Sequence, residues 1–214
     1  MTVKRGAYAL VAGGALWALV MLAYIKTHGP GTYDYKRLLF GFSRDNYMLL
    51  LSPTALLLAY GVIVLRRQFL PVTGRLFAAA SLGTLLLLGV FAAGNLLFTA
   101  QVGVGEHPPW PNRSRVAILG SAVQSLSLLP LGLTLALMGV AFLRARCFWA
   151  GAVVLLFPLA VIALAPWQPI HSYLGVLFGV GWSILGVLYA RVGSGAATES
   201  HAGLDSPSVS TEEV

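Results

Sequence analysis

The segment Glu106-His107-Pro108-Pro109-Trp110-Pro111-Asn112-Arg113-Ser114-Arg115 leads directly into a long apolar run. That run carries Ser121, Gln124, Ser125 and Ser127 in its first half and Pro130 in its middle. Prolines, a tryptophan and two arginines at the mouth of a hydrophobic run mark the water interface of a membrane helix, where aromatic rings and cations sit at headgroup level. Polar side chains just below such a mouth persist in hydrocarbon only where they face other helices or a wet cavity.

Composition extends this reading to the whole chain. Of 214 residues, 57% are hydrophobic and 10% charged, with a mean hydropathy of +0.81. A soluble domain carries about a quarter charged residues. The formal net charge is +7, but the basic residues flank apolar runs, which is a topology signal. Nucleic acid is therefore excluded as a partner and the lipid bilayer is the expected one. Arginine outnumbers lysine, and Ala, Gly and Leu abound, which points to a bacterium with a GC-rich genome and to its inner (plasma) membrane. The one cysteine, Cys147, allows neither an intrachain disulfide nor a cysteine metal cluster.

Apolar runs at 6–25, 46–65, 76–98, 116–143, 148–165 and 170–190 predict an all-α bundle of six transmembrane helices over residues 1–192. About 20 residues suffice to cross ~30 Å of hydrocarbon. The first run is too long for a signal peptide and has no small-x-small cleavage site before Lys26. Residues 193–214 form a polar, acidic tail that cannot bury enough apolar surface to fold alone, so it is expected to be disordered. Lys4, Arg5, Arg66, Arg67, Arg75, Arg144, Arg146 and Arg191 fall in short acid-free segments on one side. Lys26, Lys36, Arg37, Arg44, Arg113 and Arg115 share the other side with Asp34, Asp45 and Glu106. The denser cationic side is cytoplasmic by the positive-inside rule, so both termini are expected there.

That orientation gathers polar residues in the outer half. Ser52 and Thr54 begin the second span, and His171, Ser172 and Tyr173 begin the sixth. Ser81, Thr84, Asn95 and Thr99 share a sector of the third, and Ser121, Gln124 and Ser125 share a face of the fourth. The cluster predicts a water-accessible vestibule for a small anionic or amphipathic ligand. Arg113, Arg115, Arg37 and Lys36 would form its rim, with His107, His171, Trp110 and Trp167 near the mouth and Asn95, Gln124, Ser121 and Ser125 below. The competing explanation is helix-to-helix glue, in which each polar residue bonds to a neighbouring span with ~0.6–2 kcal/mol. Small residues support close helix packing: Ser121, Ser125, Gly132, Ala136 and Gly139 lie near one stripe of the fourth span, and Gly175 and Gly179 form a GxxxG pair in the sixth.

From Asn46 to Ala190 the one carboxylate is Glu106, in a loop, which speaks against proton coupling through a buried acid. No Walker, GxSxG, HExxH or CxxC motif occurs, and no histidine pair has helical metal spacing. Three function classes follow in order of expectation. The first is a binding or transport protein with the outward vestibule. The second is a non-catalytic membrane subunit or assembly partner of another membrane protein. The third is a membrane enzyme using His107, Glu106 and His171.

Overall fold

The computed structural model of the chain describes residues 3–28, 49–102, 115–164 and 171–202. All regular structure among them is helical. Helix α1 is Val3–His28. The stretch Leu51–Val102 is one helical run broken at Gly74 (φ 74°), which divides it into α2 (Leu51–Pro71) and α3 (Thr73–Thr99). Then follow α4 (Arg115–Arg144), α5 (Phe148–Leu164) and α6 (His171–Ala202). Five of these helices are long and apolar enough to cross a membrane.

Two boundaries differ from expectation. The expected loop at 66–75 is helical apart from Gly74, because Leu65 to Leu70 are good helix formers and a helix already begun propagates cheaply. Helix α5, at 148–164, keeps close to the bounds expected for the fifth span, but at 17 residues it is at the lower limit for a crossing and is not among the five. Helix α6 continues to Ala202, past the boundary drawn from composition at 192/193. Ala196, Ala197 and Ala202 favour extending a helix that is already nucleated. The rest of that tail, 203–214, lies outside the described residues.

The surface is apolar and the interior holds the polar groups. Leu126, Leu129 and Trp149 are 74%, 78% and 72% exposed, whereas Ser52, Thr84 and Asn95 are 1%, 0% and 0% exposed. Apolar patches of this extent are not tolerated on soluble monomers. Such a surface is suited to hydrocarbon, which favours burial of polar groups against protein partners.

The helices close into a ring in chain order. Gly61 of α2 lies against Leu10 of α1, Ser52 of α2 reaches Ala92 of α3, and Gly94 of α3 meets Gly120 of α4. Gly139 of α4 meets Leu155 of α5, Phe157 of α5 stacks near Phe178 of α6 (centroids 5.3 Å apart), and Gly179 of α6 returns to Gly14 and Ala18 of α1. Two aromatic clusters fill the ring. One joins Phe77, Phe142, Phe69 and Tyr189, with centroid spacings of 5.0, 5.2 and 5.7 Å in that order. The other holds Trp17 between Phe91 and Phe178, at 5.1 and 4.9 Å.

Helices α1 and α6 are antiparallel, since Gly14 meets Ser183 while Gly186 meets Ala7 and Val11. The start of α1 and the last turns of α6 therefore share one end of the bundle. Among the described residues that end also holds Arg66, Arg67, Arg75, Arg144 and Arg146, while Lys26 and Arg115 lie at the other. The link from α4 to α5 at the cationic end is a Schellman turn. Cys147 N donates to Phe142 O at 2.9 Å, Arg146 N donates to Leu143 O at 3.0 Å, and Arg146 takes the left-handed position (φ 60°) usually given to glycine.

Candidate functional site

The polar residues near the end of the bundle formed by Leu51, Thr99 and Arg115 form one directed chain of hydrogen bonds. Gln124 Nε2 donates to Asn95 Oδ1 at 3.2 Å, and Asn95 Nδ2 donates to Ser52 Oγ at 2.8 Å. Ser52 Oγ in turn donates to the Ala92 carbonyl at 3.2 Å. Three helices, α4, α3 and α2, are tied through one amide. Asn95 sits at the centre and is fully buried. A fully buried amide must find its partners inside the protein, since hydrocarbon offers none.

The local geometry follows from two glycines. A Cβ on Gly94 would lie 2.8 Å from Gln124 N, and one on Gly120 would lie 2.5 Å from Phe98 N and 2.7 Å from Gly94 O. The backbones of α3 and α4 touch there, which brings Asn95, next to Gly94, and Gln124, one turn on from Gly120, within bonding reach. Deeper in the same seam, Thr84 Oγ1 lies 3.1 Å from Thr134 Oγ1 and 3.0 Å from its own helix's Ala80 carbonyl. Thr134 donates to Leu131 O at 3.0 Å. Thr99 and Ser127 return their hydroxyls to the backbone, to Asn95 O at 2.8 Å and Gln124 O at 2.7 Å.

The residues expected to form a site fall in different surroundings, and several lie outside the described residues. Asn95 and Gln124 are joined. Ser121 is half-buried, while Ser125 is exposed on the outer surface and so leaves the small-residue stripe it was expected to share. The cause is the register of α4: Ser127 and Leu131 occupy the buried line, and Ser125 falls to its outer side. Arg115 is exposed at the start of α4. His171 opens α6, and only its backbone is described. Arg113, His107, Trp110 and Trp167 lie outside the described residues, as do Lys36, Arg37 and Glu106. Both glycines of the expected small-residue pair in α6 pack on α1: a Cβ on Gly179 would lie 2.5 Å from Ala18 N, and one on Gly175 would meet the Met21 side chain.

Sequence reasoning placed Ser52 in the outer half but did not connect it to Asn95. No local pattern links residues 43 apart in the chain. It also did not single out Gly94, Gly120 or Gly14, which are ordinary residues in a glycine-rich membrane sequence until a neighbouring backbone arrives.

Other chemistry is sparse. Among the described residues no three His, Cys, Asp or Glu side chains gather as a metal site would require. Two buried donors, Trp17 Nε1 and Arg66 Nε, have no partner among the described residues. Between α4, α5 and α6 a cavity of about 20 Å³, lined by Leu135, Val154, Phe157 and Trp182, is apolar. Among the described residues these polar side chains bond to one another and to backbone carbonyls. No protein-family model, no curated protein and no solved structure matches the chain.

Proposed function

We propose that this chain is a multi-pass integral membrane protein that serves as a non-catalytic subunit or assembly partner, its inner polar residues acting as locks between helices. The observation that carries the reading is the Gln124–Asn95–Ser52 chain ending on a backbone carbonyl, with Asn95 fully buried. A ligand site needs polar atoms left available to the ligand, whereas here the central amide is engaged on both of its ends by protein. In this reading six spans cross the plasma membrane of a bacterium, α5 being the shortest, and both termini are cytoplasmic.

The test is thiol accessibility at position 124. In a Cys147→Ser background, a cysteine replacing Gln124 is expected to stay inert to a small hydrophilic thiol reagent while one replacing Gly103 reacts. Fast labelling at 124 would sink the lock and restore a vestibule for a small anionic or amphipathic ligand, with Arg113 and Arg115 at its rim. Threading is tested in intact cells with an impermeant reagent, where cysteines at Gly31 and Val104 are expected to react and one at Ser200 to stay silent. The opposite pattern would invert the orientation.

A further inference from the structure

An open groove of about 620 Å³ runs along the outside of the bundle between α1 and α6. Ala15 and Leu19 line it from α1, Val180, Ile184 and Val187 line it from α6, and it ends at Arg191. Its hydroxyl-bearing residue, Ser183, turns that hydroxyl to the backbone, 3.1 Å from Val11 O and 3.2 Å from Gly179 O. The walls are therefore hydrocarbon. From Val180 to Arg191 an α-helix rises about 16 Å, at ~1.5 Å per residue. That is close to the hydrocarbon depth of one leaflet, half of ~30 Å.

The end of the groove is cationic. The antiparallel register that sets Gly186 against Ala7 and Val11 brings Lys4 and Arg5 to the level of Arg191. All three side chains are exposed.

We propose that this groove binds an anionic phospholipid of the adjoining leaflet, its phosphate among Lys4, Arg5 and Arg191 and one acyl chain laid along the α1–α6 seam. Arginine and lysine at the membrane surface attract anionic headgroups, and guanidinium pairs with phosphate through two parallel hydrogen bonds. An apolar slot one leaflet deep restrains a chain that would otherwise move freely. A transmembrane helix of another protein would fill the slot equally well but would have to bring acidic residues to the same level. The inference goes beyond the proposed locking role and does not depend on it, because accessibility at position 124 and lipid retention are read separately.

The full chain is reconstituted in phosphatidylcholine vesicles containing a trace of spin-labelled phosphatidylglycerol or spin-labelled phosphatidylcholine, and the immobilised fraction is measured by electron paramagnetic resonance. The expected preference for phosphatidylglycerol is roughly tenfold. Lys4→Gln/Arg5→Gln/Arg191→Gln is expected to bring it close to unity. Arg75→Gln/Arg144→Gln, charge removal away from the groove, is expected to keep most of it. Ala15→Trp, which fills the groove and leaves the charges, is expected to lose the immobilised fraction. Equal retention of the two lipids by the unaltered chain would overturn the proposal, as would equal losses in the two charge variants. Full immobilisation in Ala15→Trp would mean headgroup attraction without a groove. Disulfide capture of a second polypeptide by a cysteine at Val187, with no lipid preference, would assign the groove to a protein partner instead.

Discussion

The α3–α4 and α1–α6 seams are built with the same device and finish differently. Each brings two backbones into contact through glycine: Gly94 and Gly120 in the first, Gly14 and Gly179 in the second. In the first, the residues beside the contact are Asn95 and Gln124, which bond across it. In the second, Ser183 bonds to a backbone carbonyl and the flanking residues are aliphatic, leaving an open groove. Glycine sets how closely two membrane helices approach, and the neighbouring side chains decide whether the crossing is locked by polarity or left as an apolar surface.

If that equivalence of the glycines holds, Gly120→Val and Gly179→Val should each cost about 3 kcal/mol, the upper range for overpacking against a backbone that cannot move aside. Thermal unfolding of the detergent-solubilised protein reads both. Gly89→Val is the control, because a Cβ there meets nothing within 4 Å. An unchanged melting temperature for either seam variant would break the comparison at its root.

The polar difference is expected to be smaller. Asn95→Leu should cost about 2 kcal/mol and Gln124→Leu about 0.6 kcal/mol, within the range found for hydrogen bonds between membrane helices. Combining them should show coupling, since the second mutation removes a bond already lost. Ser183→Ala, whose hydroxyl reaches only backbone carbonyls, should cost no more than about 0.6 kcal/mol. Strict additivity of Asn95→Leu and Gln124→Leu in urea or thermal unfolding would mean that the amide bond does not hold the first seam.

The breaks between helices offer a mirrored pair. Gly74→Ala places a side chain at φ 74°, ψ −162°, a region essentially reserved for glycine, with open space around it, and should cost about 1–2 kcal/mol for backbone conformation alone. Arg146→Gly relieves a left-handed residue in the Schellman turn and should gain about 1 kcal/mol. Opposite signs in the two melting temperatures are the expected result, and the same sign for both would contradict it.

The smallest effect concerns the neighbouring thiol. Burial pushes Cys147 above its ordinary range, so less thiolate is present at pH 8 than in an unstructured peptide. Its alkylation should be slower than that of a peptide cysteine at that pH, and its rate should keep climbing beyond the pH at which the peptide's levels off. The sign for stability is the same: a raised thiol pKa favours the folded state at low pH, and the contribution fades as pH rises through the folded value. A Cys147 rate profile matching the free peptide would remove this point.

How far the sequence reaches can be judged residue by residue. The apolar runs foretold the helices found among the described residues, because a backbone in hydrocarbon has to satisfy its own hydrogen bonds and the helix does so within one segment. The sector shared by Ser81, Thr84 and Asn95 foretold a buried face, since helical periodicity carries that information. The continuity across 66–71 was not legible, because arginines and a proline read as a loop when their neighbours in space are unknown. The register that leaves Ser125 outside while Gln124 meets Asn95 was equally hidden, because a helix of Leu, Ala and Gly shows hardly any difference between its faces.

Sequence by itself determined that the chain is helical, apolar and suited to a membrane, and that its cations cluster at helix ends. These are properties of single segments meeting their solvent. The tertiary structure decided which polar atoms bond to one another, which glycines touch a backbone and where a groove stays open between α1 and α6. Those depend on which helices become neighbours and at what height. In hydrocarbon that choice is made by close backbone approach and a few long-range hydrogen bonds, and no local pattern records it.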